Sequence, residues 1–249
     1  MNDLFGNIVE RAIDRIKEFE PEEGYYVAYS GGKDSDTILN LVRMSGVKYD
    51  AHHHLTTCDP PELVQHVKAQ PDVVIGRPKM TMWELIVKRQ MPPRRQARFC
   101  CQELKEGGGS GRIVVTGVRW GESARRSKRR MVEACMRDKS KHYFHPIIDW
   151  KDTEVWDFIR SNNIEYCKLY DEGFKRLGCV LCPMTRDVEL QMKRWPQIAR
   201  AWERAVKKTY NSSAKKKFKS AEEYWQWWLD RDRPSMLKAD DDQMMFFED

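Results

Sequence analysis

The chain has 249 residues, 41% of them hydrophobic and 33% charged, enough to bury one substantial core as a single large domain or as a domain with an appendage. Its formal charge of +6 suits an anionic ligand, a nucleotide or a nucleic acid, without selecting one. No apolar run approaches the ~20 residues that cross a bilayer, and the opening MNDLFGNIVERAIDRI is amphipathic and carries acids, unlike a secretory signal, so the expectation is a cytoplasmic protein with no membrane partner. The seven cysteines are then read as reduced thiols, catalytic groups or metal ligands rather than a disulfide framework.

In chain order, an amphipathic first helix is followed by a repeating strand and helix rhythm. GYYVAYS reads as a strand and DTILNLVRMSG as a helix closed by Gly46. KYDAHHHL is the next strand, and PPELVQHVKAQ its helix, with proline near the start. DVVIGRP and RIVVTGV supply two more β-branched strands, separated by the helical TMWELIVKRQM and a Pro-Pro-Arg-Arg loop. The pattern predicts an α/β fold with a parallel sheet flanked by helices and ligands at the carboxyl ends of the strands. GGGSG at Gly107–Gly111 reads as a flexible loop. Beyond Pro183 strand signals vanish, which predicts a domain over residues 1–183 and a C-terminal helical appendage over 184–249.

The strand that runs into Ser30, Gly31, Gly32, Lys33, Asp34 and Ser35 and then into a helix has the chemistry of a phosphate cradle. Glycine N–H groups can approach an anion closely, and hydroxyls and an ammonium add donors and charge. Neither G-x-x-x-x-G-K-[ST] nor G-x-G-x-x-G is present. The alternative is an ordinary Gly-Gly turn with a solvated lysine.

SGGKDS resembles the pyrophosphate loop of the adenine-nucleotide α-hydrolase group, and further segments are similar to the phosphoadenosine phosphosulfate (PAPS) reductase family. These are TGVRWGESARRS, matching at Thr116, Gly117, Arg119, Ser123 and Arg126, and HPIIDWKDTEVWDFIRSNNIEYCKLYDEGFKRLGCVLCP. The resemblance covers roughly Tyr25 to Pro183. It implies a Rossmann-like domain in which Ser30 to Ser35, Gly117 and Arg119 bind the nucleotide, with Lys33, Asp34, Arg119 and Arg126 acting on the reacting phosphate or sulfate. Guanidinium geometry suits such oxyanions. Arg125, Lys128, Arg129 and Arg130 are equally well read as a solvated basic helix face, and Asp149 with Trp150 as structural residues ahead of a helix.

Cys100-Cys101 and Cys179-x-x-Cys182 provide four soft ligands, which select an iron–sulfur cluster or zinc. Their pairing resembles the [4Fe-4S] arrangement of the adenylylsulfate-reducing branch and of the sulfur-handling enzyme of DNA phosphorothioation. The resemblance therefore implies a [4Fe-4S] cofactor, with zinc as the alternative, and Lys105, Arg98 or Lys175 as cations able to tune it. Cys58, Cys135 and Cys167 are left as core residues.

The sequence departs from the reductases in ending DDDQMMFFED, with no cysteine after Cys182 and no Glu-Cys-Gly-Leu-His tail. Gly-Gly-Lys-Asp-Ser is also the form of members that split ATP with Mg²⁺. The expectation is an enzyme that adenylates an acceptor with ATP, releasing pyrophosphate, before sulfur displaces AMP. Its alternatives are reduction of adenylylsulfate or phosphoadenylylsulfate, or a non-catalytic nucleotide-sensing or nucleic-acid-binding module. A sulfur-donor or electron-donor protein is the implied partner, and the oligomeric state is left open. His52, His53 and His54 are read as packing residues, and Thr57 matches the family's Asp-Thr-Gly only loosely. Trp195, Trp202, Trp225, Trp227 and Trp228 beside Lys215, Lys216 and Lys217 make nucleic acid a candidate partner, against the alternative that the tryptophans are core.

Overall fold

The computed structural model describes residues 4–230; the C-terminal run DDDQMMFFED lies outside them. Two compact units account for the described residues: those up to 54 with 61–76 and 107–178, and 55–60 with 77–106 and those from 179 onward. The units interleave in sequence rather than meeting at a boundary after residue 183, because segments between strands pack with the C-terminal helices.

The first unit carries α1 (Leu4–Glu18), β1 (Tyr25–Ala28), α2 (Lys33–Ser45), β2 (Tyr49–His54), α3 (Pro61–Lys68) and β3 (Val73–Gly76). The second unit takes up the chain for α4 (Met82–Arg89) and α5 (Phe99–Leu104). The chain then returns to the first for β4 (Ile113–Val115), β5 (Val132–Ala134), β6 (His142–Phe144) and α6 (Asp152–Ser161). The sheet has the order β3-β2-β1-β4-β6-β5. It is parallel except for the edge pair β5 and β6, which is antiparallel, so the α/β architecture expected from the sequence is the one observed.

The local chemistry explains the elements. Tyr25 and Val27 are fully buried in the central strand, as befits a parallel strand covered on both faces. In α2, Ile38, Leu39, Leu41 and Val42 turn a completely buried face to the sheet, each contributing roughly 1.5–3 kcal/mol by burial. Gly46 ends the helix at φ 73°, a left-handed backbone glycine adopts without a Cβ penalty. Arg15 of α1 grips Asp149 with both guanidinium nitrogens, each at 2.8 Å. Asp149 therefore anchors a helix rather than capping one, and Trp150 is buried edge-on against Phe158.

One feature differs from the sequence reading. Arg125 to Arg130 form no α-helix: Trp120–Glu122 and Arg126–Lys128 are single 3₁₀ turns, since the segment offers no apolar face whose burial would hold a longer helix. The histidine strand is a packing device, with the His52 ring stacked on Tyr26 at 4.4 Å and His54 Nε2 at 2.7 Å from the Tyr26 hydroxyl.

The second unit adds α7 (Val188–Arg194), α8 (Pro196–Lys208), α9 (Ser212–Lys215) and α10 (Ala221–Leu229). Trp202 is fully buried, edge-on to Trp83 at 5.3 Å and stacked on Trp228 at 4.8 Å. Its indole N–H donates to the Val180 carbonyl at 2.8 Å. Trp195, Trp225 and Trp228 are buried as well and Trp227 is half-buried. These aromatics form a core, which removes them as a base-stacking surface and leaves Lys215, Lys216 and Lys217 exposed without it. No helix among the described residues is long and apolar enough to cross a membrane.

His145 is 1% exposed, with Nδ1 at 2.7 Å from the Thr116 hydroxyl and no partner for Nε2. Burial pulls its pKa down to about 4. The folded chain thus holds it neutral while an unfolded histidine protonates near 6.5. Its contribution is whole above the unfolded pKa and is lost as pH falls toward 4, amounting to about 3 kcal/mol at most. Urea denaturation of wild type and His145→Gln at pH 7 and pH 5 should show a smaller acid-induced loss in the variant.

Candidate functional site

In the sheet order, β1 lies between β2 and β4, so the connections leaving β1 and β4 depart in different directions and open a crevice at their carboxyl ends. The residues that follow those two strands line it. A cleft of about 580 Å³ is bounded by Ser30, Gly32, Lys33, Thr116, Arg119 and Asp152, among others, a size within the range of small-molecule sites.

The loop after β1 is shaped by its own hydroxyls. Gly31 takes φ 76°. Ser35 Oγ accepts from the N–H groups of Ser30 and Gly32 at 3.2 and 3.1 Å, and donates to the Gly32 carbonyl at 2.8 Å. The Lys33 N–H, at the start of α2, donates to the Tyr170 hydroxyl at 2.9 Å.

Two cations meet here. Lys33 Nζ is 3.1 Å from Asp34 and 2.9 Å from Asp152. Arg119 directs Nε to Asp34 at 2.6 Å, Nη2 to Asp152 at 2.8 Å and Nη1 to the Trp150 carbonyl at 3.2 Å. Lys33 is 7% and Arg119 3% exposed. Burial works against the guanidinium charge, but Asp34 and Asp152 more than offset it and its pKa is raised. For Asp152 burial works toward protonation, yet Lys33 and Arg119 hold the carboxyl below its usual range. Chemically this is a pair of fixed cations with oxygen ligands beside them, able to hold a polyanion and a hard divalent cation.

The structure brings together Ser30, Gly31, Gly32, Lys33, Asp34, Ser35, Gly117 and Arg119. Arg126 lines the cleft too, paired with Glu122, whose other oxygen accepts the Arg119 N–H at 3.0 Å. Ser123 caps the turn of Arg126 at 3.2 Å, and Thr116 serves His145. Gly117 has a steric role: a Cβ there would lie 2.7 Å from the Asp34 carbonyl oxygen. Sequence reasoning missed Asp152 and Tyr170. Asp152 could have been found as an acid in the first turn of α6, whereas Tyr170 has no local signal, since its partner is 137 residues away.

The second unit holds the cysteines. Cys100, Cys101, Cys179 and Cys182 line one cavity together with Thr56, Met82, Lys105, Pro183 and Trp202. Cys100 and Cys101 open α5. The turn from Cys179 to Cys182 closes with a 3.2 Å backbone bond, takes φ 54° at Leu181, and is held where Gln191 accepts the Leu181 N–H at 2.7 Å. The hydrogen bond from Cys100, opposed by burial and helped by Lys105, pulls Cys101 down to about 7, while the same bond and burial push Cys100 up. The Cys58 bond and Lys105 bring Cys179 to about 6 against burial, and burial raises Cys182. The thiolates in turn hold Lys105 protonated, its pKa raised chiefly by Cys179. Among the described residues, no three or more His, Cys, Asp or Glu side chains are arranged to hold a single metal ion; the four thiols surround a space.

A mostly parallel sheet with a strand, loop and helix cradle at its switch point defines a Rossmann-like anion-binding domain. More narrowly, residues 24–185 match the phosphoadenosine phosphosulfate reductase domain, and the chain belongs to that family. Among curated proteins, MJ0973 of Methanocaldococcus jannaschii, an uncharacterized protein, is 28% identical over 195 residues, 73% of this chain and 47% of that protein. An adenosine 5'-phosphosulfate reductase of Staphylococcus saprophyticus is 26% identical over 178 residues, 64% of this chain and 71% of the reductase. The chain spans less than half of MJ0973 and 40% of a 37.8 kDa protein of Escherichia phage 186, to which it is 33% identical over 132 residues. The crystal structure of PAPS reductase from Candida auris, a phosphate complex, shares the fold at TM-score 0.51 and 18% identity, over 72% of this chain and 95% of that one.

Gly117→Ala should drive the end of β4 away from Asp34, costing about 1–3 kcal/mol in urea denaturation. Gly32→Ala, whose Cβ would meet only the Tyr170 hydroxyl at 3.3 Å and the Ser30 hydroxyl at 3.8 Å, should cost less than Gly117→Ala.

Proposed function

We propose that the chain is a nucleotide-dependent enzyme of the PAPS reductase family that binds ATP in the cleft and transfers its adenylyl group to an acceptor oxygen, releasing pyrophosphate, as the first half of a sulfur transfer. The observation that carries this reading is the convergence of Lys33 and Arg119 on one point beside the Ser30 to Ser35 loop. Two buried cations held 2.9 and 2.8 Å from the same Asp152 oxygen define a position where a phosphate oxygen would receive both.

In the adenylation step the acceptor oxygen attacks the α-phosphorus and its bond to the bridging oxygen breaks, so that pyrophosphate leaves with the electron pair. Lys33 and Arg119 neutralise the charge that builds on the phosphate oxygens and, as buried and fixed cations, orient the chain of phosphates. Asp34 and Asp152 supply carboxylate oxygens of the kind Mg²⁺ takes alongside phosphates. A sulfur nucleophile then attacks the acceptor atom that carries the adenylated oxygen, the bond between them breaks, and AMP leaves with that oxygen and the electron pair.

The four cysteines fit a [4Fe-4S] group by donor type and by lining one cavity, with zinc the alternative that the same four thiols could take. When bound, a cluster supplies one-electron redox capacity and a polarising charge. The chain's part is to present two adjacent thiols from α5 and two from the Cys179 turn, with Lys105 as countercharge. A second reading, reduction of adenylylsulfate to sulfite and AMP by an external two-electron donor, draws on the similarity to adenosine 5'-phosphosulfate reductases. A sulfur-donor or electron-donor protein is the partner either reading requires.

Calorimetry should show Mg²⁺-ATP binding to wild type, weakened about tenfold or more by Lys33→Ala and by Arg119→Ala. Turnover assays with candidate acceptors should yield AMP and pyrophosphate. Sulfite from adenylylsulfate, with no pyrophosphate from ATP, would replace the first reading with the second.

Anaerobically purified chain should contain iron and acid-labile sulfide in equal amounts, lost in Cys101→Ser and Cys182→Ser and kept in Cys135→Ser. Stoichiometric zinc in their place would reject the cluster.

A further inference from the structure

The four-cysteine assignment leaves Cys58 unused, yet the fold places it against one of the four. Cys58 is fully buried. Its carbonyl accepts the Val180 N–H at 2.8 Å, which ties the segment after β2 to the residue following Cys179. Thr56, 1% exposed, bridges Cys58 and Cys179: its hydroxyl lies 3.3 Å from the Cys58 sulfur, and its oxygen accepts the Cys179 S–H at 3.4 Å. Thr56 lines the cavity that the four cysteines share, and Cys58 does not. Cys58 therefore stands behind Cys179 and not in the ring of ligands.

We infer that Cys58 is a positioning residue for the cysteine site: it holds the Thr56 hydroxyl against the Cys179 sulfur from behind, so that when Cys179 ligates, the Cys58 S–H donates to the Thr56 oxygen and the Thr56 O–H turns to the sulfur, aiming it into the cavity and setting the reduction potential of the cluster bound there. The second half rests on the cluster reading of the proposed function. A ligating sulfur can only accept hydrogen bonds, whereas a free thiol and a hydroxyl can each donate one. Donors aimed at a ligand sulfur stabilise the extra negative charge of the reduced cluster and raise its potential. The alternative is that Cys58 is a small buried apolar residue and nothing more, in which case its removal alters packing without altering the potential.

The test uses the full chain, loaded anaerobically, as wild type, Cys58→Ala, Cys58→Ser and Thr56→Val. All four should keep iron and sulfide. The midpoint potential should fall in Cys58→Ala and Thr56→Val and recover in Cys58→Ser, whose hydroxyl restores a donor. Equal potentials across the series overturn the inference. A second measurement needs no cluster: in metal-free chain the infrared S–H stretch of Cys58, identified by its loss in Cys58→Ala, should move to higher frequency in Thr56→Val. A band that stays in place shows that the hydrogen bond does not exist and overturns the inference whatever the metal content. If the wild type binds no iron or sulfide, the cluster reading fails and the potential-setting role with it, while the infrared band still decides the hydrogen bond.

Discussion

Lys33 and Arg119 are charges that the fold has withdrawn from water, at 7% and 3% exposure, and the site is organised around that constraint. A buried cation without a partner costs several kcal/mol, so carboxylates must come to it. Asp34 comes from the same helix turn as Lys33, and Asp152 from the start of α6. The two carboxylates differ in kind. Asp34 is wedged behind the Gly117 backbone, whereas the Asp152 side chain is 61% exposed and reaches the cations from the solvent side. An incoming anion can replace the second at little cost to the fold, but not the first.

The same constraint accounts for the tightness of the strand ends. Arg119 can reach Asp34 only because the chain leaving β4 passes close to the first turn of α2, and a glycine at position 117 permits that approach. The sheet fixes the register further: Tyr26 pairs with Val114 and Val27 with Val115, so the two loops leave the sheet at the same level. What looks like a motif of six residues is thus completed by an arginine 85 residues along the chain from Asp34.

The sequence disclosed what depends on local chemistry. The strand, Gly-Gly and helix succession at Tyr25 to Ser45 follows from apolar periodicity and glycine backbone freedom, and the rhythm of the first four strands is equally local. Strands β5 and β6 escaped because each is three residues long and, unlike the equally short Ile113–Val115, lacks a run of β-branched residues, and the basic run before β5 imitated a helix face. The interleaved units were hidden for another reason. Residues 55–60 and 77–106 carry no mark of the helices they pack with, since a mate such as Trp202 for Trp83 lies far along the chain. Tyr170 and Cys58 were illegible on the same ground: their roles come from a partner placed by tertiary structure, not from their neighbours in sequence.

The cysteine site shows how far type and place separate. Residue type selected four cysteines by spacing, and the fold gathers those four around one cavity, but it also brings up groups that spacing does not reveal. Lys105 is one turn beyond Cys101 on the same side of the cavity, so a helix built to present two thiols also delivers their countercharge. Thr56 arrives from a segment after β2, between two strands of the other unit. A thiolate set confined with one ammonium group and a hydroxyl is electrostatically incomplete as it stands: four deprotonated sulfurs would repel one another more than Lys105 could offset. The thiols divide accordingly: the bond to Cys101 and burial push Cys100 up and burial pushes Cys182 up, whereas neighbouring thiols and Lys105 draw Cys101 and Cys179 down. On the cluster reading proposed above, a polycationic guest would take the place of the protons on the raised pair and remove the need for that asymmetry.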